Sequence, residues 1–157
     1  MKWRTMPYLI LPWAAKLAHD PRILDVVEDL LGPNLLIYTS TFFIKEPHSP
    51  TIAAWHQDST YYGLEPKEEI TVWIALTEAD EDAGCMEALS FRGEPRQLRH
   101  VSRVVEHSVN RASQMIVEPL DEASPVAMPL AAGSFSCITA FAPTAPAPIA
   151  QIIAESG

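Results

Sequence analysis

Between Pro33 and Leu130 the chain breaks into short stretches of strand texture, each fenced by turn chemistry. Leu35 to Ile44 is rich in Ile, Tyr, Thr and Phe, which suit a pleated, half-buried surface. Thr51 to Asp58, Glu69 to Thr77, Cys85 to Leu89, Ser113 to Glu118 and Val126 to Leu130 repeat that texture. Pro47-His48-Ser49-Pro50, Gly63 to Lys67 and Glu78 to Gly84 supply the turns between them. No internal repeat accompanies this spacing. Such a run predicts a mainly β fold, an antiparallel sandwich or barrel.

Helices precede the strands. Asp20 can cap a first turn, and Pro21 suits the first helical position, where its missing N–H costs nothing. Ile23, Leu24, Val27, Leu30 and Leu31 then recur at helical spacing until Gly32-Pro33 ends the run. Trp13 to His19 reads as a shorter helix packed before it. The far end has a different texture. From about Cys137 the chain shows no clean alternation, and Pro143, Pro146 and Pro148 fall close together. A tail of this kind is not expected to add a central strand.

Composition narrows the function. With 20 Asp+Glu against 11 Lys+Arg the net charge is −9, which argues against a nucleic-acid binder, since that needs a basic face. Cys85 and Cys137 are too few for a disulfide scaffold, and they lack zinc-type spacing. The start holds no secretory signal, and the uncharged run from Ala123 to Ala154 is too rich in proline for a membrane helix. The expectation is a cytoplasmic protein. Glu78-Ala79-Asp80-Glu81-Asp82 reads as a solvated turn, because a calcium loop needs a mid-loop glycine and spaced ligands. Arg92, Arg96, Arg99, His100 and Arg103 read as a charged surface, or as a partner for an acidic substrate group.

The chemistry sits in Trp55-His56-Gln57-Asp58. On a strand, residues i and i+2 share a face, so His56 and Asp58 can offer an imidazole nitrogen and a carboxylate oxygen to one metal ion. That is part of the two-His-one-carboxylate triad of non-haem Fe(II) oxygenases. Alone, the pair could equally be a hydrogen-bonded strand edge. Its context is specific: Ser59-Thr60-Tyr61-Tyr62-Gly63-Leu64, then Val72-Trp73-Ile74-Ala75-Leu76-Thr77, then Gly84-Cys85-Met86. With Ser40-Thr41-Phe42-Phe43-Ile44-Lys45-Glu46-Pro47 ahead of it, this series resembles the phytanoyl-CoA dioxygenase family of Fe(II)/2-oxoglutarate-dependent oxygenases, from about Asp20 to Gly133.

The resemblance implies a double-stranded β-helix, or jelly roll, with N-terminal helices and iron at its mouth. It implies an enzyme that uses dioxygen and 2-oxoglutarate to hydroxylate a small organic substrate, releasing succinate and CO₂. His56 and Asp58 match the first two iron ligands. Trp73 matches a position beside the co-substrate, and Thr41, on the neighbouring strand, is a second candidate; core packing is the other reading of Trp73. Tyr61 and Tyr62 could face substrate, or pack on the rim.

The pattern then stops. The family needs a further His downstream and an Arg eleven residues after it, to pair with the far carboxylate of 2-oxoglutarate. No His follows His107 and no Arg follows Arg111. His100 and His107 lie in a charged connecting stretch that does not suit a ligand. Leu130-Ala131-Ala132-Gly133-Ser134-Phe135-Ser136 resembles the approach to the missing ligand, after which the likeness ends at Cys137. A single lost base near that codon accounts for the break. Read in the neighbouring frame with permissible wobble bases, the tail from Ile138 becomes HHGLCAHRSGPNRADHRRIG. The ligand histidine then falls where Thr144 stands, and the arginine where Glu155 stands. The expected organisation is an incomplete jelly-roll domain over 1–136 and a divergent tail over 137–157, with a start that also looks late. The alternative is an inactive metal- or ligand-binding remnant.

Overall fold

The computed structural model describes residues 5–44, 48, 53–89, 94–103, 114–120, 125–145 and 149–156, the last stretch as backbone. A 3-10 turn, Pro7–Leu9, leads into helix α1, Pro12–Ala18, and helix α2, Pro21–Leu31. The Asp20 carboxylate accepts the Arg22 N–H at 3.0 Å, so the predicted cap is in place. Gly32 ends the helix at φ 90°, a backbone conformation that favours glycine.

The strands are β1 (Leu35–Phe43), β2 (Glu69–Ile74), β3 (Met86–Ala88), β4 (His100–Ser102), β5 (Gln114–Ile116), β6 (Val126–Met128), β7 (Phe135–Thr139), β8 (Thr144–Ala145) and β9 (Ile149–Ser156). One turn of helix, α3 (Ser59–Tyr62), lies between β1 and β2. Three sheets form, in the orders β1-β9-β2-β7, β6-β3-β8 and β4-β5, and every pairing within them is antiparallel. The mainly β fold with N-terminal helices is as expected.

β2 shows how the layers are sorted. All six of its residues are buried, so it is covered on both faces. Ile70, Val72 and Ile74 cluster with Ala18, Ile23 and Val27 of the helices. Trp73, from the alternate positions, clusters instead with Met86 of β3 and Ile138 of β7. Period-two alternation therefore gives one strand to two cores: helices on one side, the three-stranded sheet on the other. β1 reaches the same result by a bulge. Leu35 and Ile37 pack on the helix side, whereas Phe43, of the same parity, packs with Trp73. The register shift between Ile37 and Thr39 makes the change, because one extra residue turns every later side chain to the other face.

Three expectations need correction. The tail does add a central strand: β9 lies between β1 and β2, with Val72 opposite Ile152 and Ser40 opposite Ile152 on the other edge. Pro146 and Pro148 precede β9 and so remove no donor from its ladder, which is why the prolines were a poor guide. Thr51 to Asp58 is not a regular strand, since His56 makes only an isolated bridge and Asp58 is already helical in backbone. The stretch around His100 is not merely connecting, because His100 opens β4. Lys45, Glu46, Pro47, Thr51, Arg92, His107 and Arg111 lie outside the described residues.

If β9 is a central strand, proline in its middle removes a ladder bond that nothing else can supply. Ile152→Pro should abolish the cooperative unfolding transition seen by circular dichroism. A transition unchanged from the parent would show the tail to be detached from the sheet.

Candidate functional site

His56 and Asp58 do converge, though through a turn and not through strand alternation. His56 is fastened to β8: its N–H donates to the Thr144 carbonyl at 3.0 Å, and the Thr144 N–H donates back at 2.9 Å. The chain then turns. The Asp58 carbonyl accepts from the Tyr61 N–H, and the Gln57 carbonyl from the Thr60 N–H, which starts α3. The imidazole Nε2 consequently lies 3.4 Å from Asp58 Oδ1, with both residues buried.

Each donor is held from behind. His56 Nδ1 lies 2.8 Å from the Ala54 carbonyl, which accepts a proton there and leaves Nε2 as the basic nitrogen. The Thr71 hydroxyl donates to Asp58 Oδ2 at 2.5 Å. Thr71 shares the Trp73 face of β2 by alternation, so the signal for it was in the sequence, two residues before Trp73. Burial works against a charged His56, but the hydrogen bond and charge of Asp58, with the Ala54 carbonyl, outweigh it and raise the imidazole's pKa above its ordinary value.

The remaining expected residues surround this pair. Tyr61 meets the His56 ring edge-on at 5.3 Å between centroids, and its hydroxyl donates to the Gln114 carbonyl at 3.2 Å. Tyr62 packs edge-on against Tyr38, whose hydroxyl donates to the Tyr62 carbonyl at 3.4 Å. Trp73 is buried and stacked on Phe43 at 5.5 Å. Thr41 lies two residues before Phe43 in β1 and bridges to Thr5. Gln57, and His100, expected only on a charged connecting stretch, are joined to the same turn.

Do these residues fit a metal? Two ligands about 2.1 Å from one ion, at about 90–110° to each other, are about 3.0–3.4 Å apart. The His56–Asp58 separation fits neighbouring corners of such a site. The third corner is not filled: among the described residues no three His, Cys, Asp or Glu side chains converge. Thr144 of β8 is buried and bridges His56 through the backbone.

Residues 10–142 match the family described as Phytanoyl-CoA dioxygenase (PhyH). The chain belongs to the phytanoyl-CoA dioxygenase family. A curated relative from Danio rerio, phytanoyl-CoA dioxygenase domain-containing protein 1, is 28% identical over 76 residues, 48% of this chain and 26% of that protein. Among solved structures, the apo form of the non-haem monooxygenase ThoJ superposes with a TM-score of 0.82 at 29% identity. That superposition covers 97% of this chain and 58% of ThoJ. SnoK, a non-haem alpha-ketoglutarate-dependent carbocyclase from nogalamycin biosynthesis, gives 0.75 at 19% identity, over 97% of this chain and 62% of SnoK, and supports the fold alone. The chain therefore spans about a quarter of the curated relative and under two thirds of these structures. Family membership and the ThoJ superposition accord with the expected jelly-roll fold. No helix among the described residues is long and apolar enough to cross a membrane.

The raised His56 pKa has a checkable sign. A protonated His56 beside Asp58 stabilises the chain fully below the ordinary value of 6.5, and that contribution is lost as pH rises through the raised value. NMR titration of the ring should give a pKa above 6.5 in the parent and below 6.5 in Asp58→Asn, where burial is left to dominate. Equal values in the two proteins would contradict the pairing.

Proposed function

We propose that this chain derives from an Fe(II)/2-oxoglutarate-dependent dioxygenase that hydroxylates a small organic substrate in the cytoplasm, with His56 and Asp58 as two of its iron ligands. The observation that carries the reading is the 3.4 Å approach of His56 Nε2 to Asp58 Oδ1 within a chain of this family. When bound, iron with 2-oxoglutarate supplies the oxidising power, and dioxygen the transferred oxygen. The chain's own part is positional. Ala54 fixes the His56 tautomer, Thr71 fixes the Asp58 carboxylate, and Tyr61 buttresses the imidazole edge. Trp73 and Thr41 flank the co-substrate on the inner face of the four-stranded sheet. Tyr61 and Tyr62 border the substrate.

A second reading applies to the polypeptide as it stands, and Thr144 favours it. Among the described residues the donor set stops at two, so on this reading the chain holds metal weakly and does not turn over: a binding jelly roll, not a working enzyme. The family match ends at residue 142, two residues before Thr144. The shifted-frame reading puts its histidine at this corner. The same reading puts its arginine at Glu155, which β9 sets in register with Glu69 of β2. On this reading the family domain spans 1–136 and 137–157 is a tail read out of frame, with the family match reaching past that boundary to residue 142. Without an arginine for the far carboxylate, 2-oxoglutarate loses a charge-assisted pair, whose removal from a buried site costs roughly 2–5 kcal/mol.

Thr144→His tests both readings. With a third donor beside His56 and Asp58, Co(II) affinity by calorimetry should rise at least tenfold, about 1.4 kcal/mol or more. An unchanged affinity in a folded variant would remove Thr144 from the site.

A further inference from the structure

Asp58 owes its place to a turn, and the turn is gripped from a distance in sequence. Gln57, between the two donors, is completely buried. Its amide nitrogen donates to the Arg96 carbonyl at 2.9 Å and the Phe141 carbonyl at 2.6 Å. Its amide oxygen accepts from the Leu98 N–H at 2.7 Å and from Gln97 Nε2 at 3.0 Å. Two donors and two acceptors are thus all used, which locks the side chain. The backbone is gripped as well. The Gln57 N–H donates to His100 Nε2 at 3.0 Å, while His100 Nδ1 donates to the Leu98 carbonyl at 2.8 Å. Gln97 extends the hold to α3, donating to the Thr60 hydroxyl at 2.6 Å and accepting from Ser59 and Lys67.

An imidazole that accepts a backbone N–H is an unusual partner for a turn. The ordinary one is a carbonyl, which any residue supplies. Here Nε2 can accept only because the Leu98 carbonyl takes the Nδ1 proton, so the ring is committed to one neutral tautomer. Burial holds the His100 pKa below its ordinary value, in keeping with that state. The peptide so captured is the one that joins His56 to Gln57, and the next residue is Asp58.

We propose that His100 is a positioning residue: through the Gln57 N–H, the 96–100 segment sets the separation of the His56 and Asp58 donors. The proposal rests on the reading of that pair as metal ligands. It gives the stretch ahead of β4 a task in the site that neither charge nor ligation supplies.

The test uses the whole chain with His100→Phe, which removes the acceptor, and His100→Gln, whose amide oxygen can replace it. Two readouts are taken: hydrogen exchange of the Gln57 amide without metal, and Co(II) affinity with its visible spectrum. In His100→Phe, Gln57 should lose its protection, and Co(II) should bind about tenfold more weakly with an altered spectrum. His100→Gln should restore both. If His100→Phe does not fold, His100→Leu, which removes the same acceptor with a smaller side chain, carries the same expectation. A folded variant with parent-like exchange and parent-like Co(II) binding would overturn the proposal. A parent that takes up no Co(II) would instead sink the metal reading, and the exchange comparison would still decide whether His100 holds the turn.

Discussion

The two backbone hydrogen bonds between His56 and Thr144 are what the site is built on. β8 is only two residues long, yet it sits between Ala88 and Glu87 of β3 on one edge and His56 on the other. It thereby joins the metal motif to the three-stranded sheet. That bridge ties His56 to a strand, and the grip on Gln57 holds the turn that follows. The same pairing brings Thr144 to the donors.

Around this bridge the architecture is sorted by alternation. β2 divides its residues between a helix-backed core and an inner core, and Thr71 and Trp73 fall on the inner side with Asp58. β1 would have failed to do so with unbroken parity. Its bulge turns Thr41 and Phe43 inward after Leu35 and Ile37 have packed beneath the helices. A one-residue irregularity therefore decides which of the Thr and Phe residues of β1 can serve the site.

Much of this was legible from sequence, and what was not has identifiable causes. The Asp20 cap, α2 and its Gly32 end follow from local rules, and the structure keeps them. β1, β2, β3, β5 and β6 lie within the stretches read as strands, because β-branched and aromatic texture needs no tertiary information. β4, β7, β8 and β9 were missed. β8 is too short to show a period, and the alanines and prolines of the tail concealed a strand whose place is set by its neighbours β1 and β2. In the candidate site, His56 and Asp58 were singled out by their i, i+2 spacing together with the family resemblance, and they converge through a turn instead of the expected strand alternation. Strand alternation and an extended residue followed by a turn can both bring residues i and i+2 together, and spacing cannot separate the two. Gln57 and His100 escaped because their contact spans 43 residues. Only the fold brings them together.

Among the described residues the proposed iron site has two donors, His56 and Asp58, and no third. Anaerobic addition of Fe(II) and 2-oxoglutarate to the purified, folded protein tests it most directly, followed through the weak visible charge-transfer band of the ternary complex. Two donors without a carboxylate-pairing arginine should give no saturable band. A saturable band from the unaltered chain would contradict the account, and would mean that a complete oxygenase centre assembles without a ligand at Thr144.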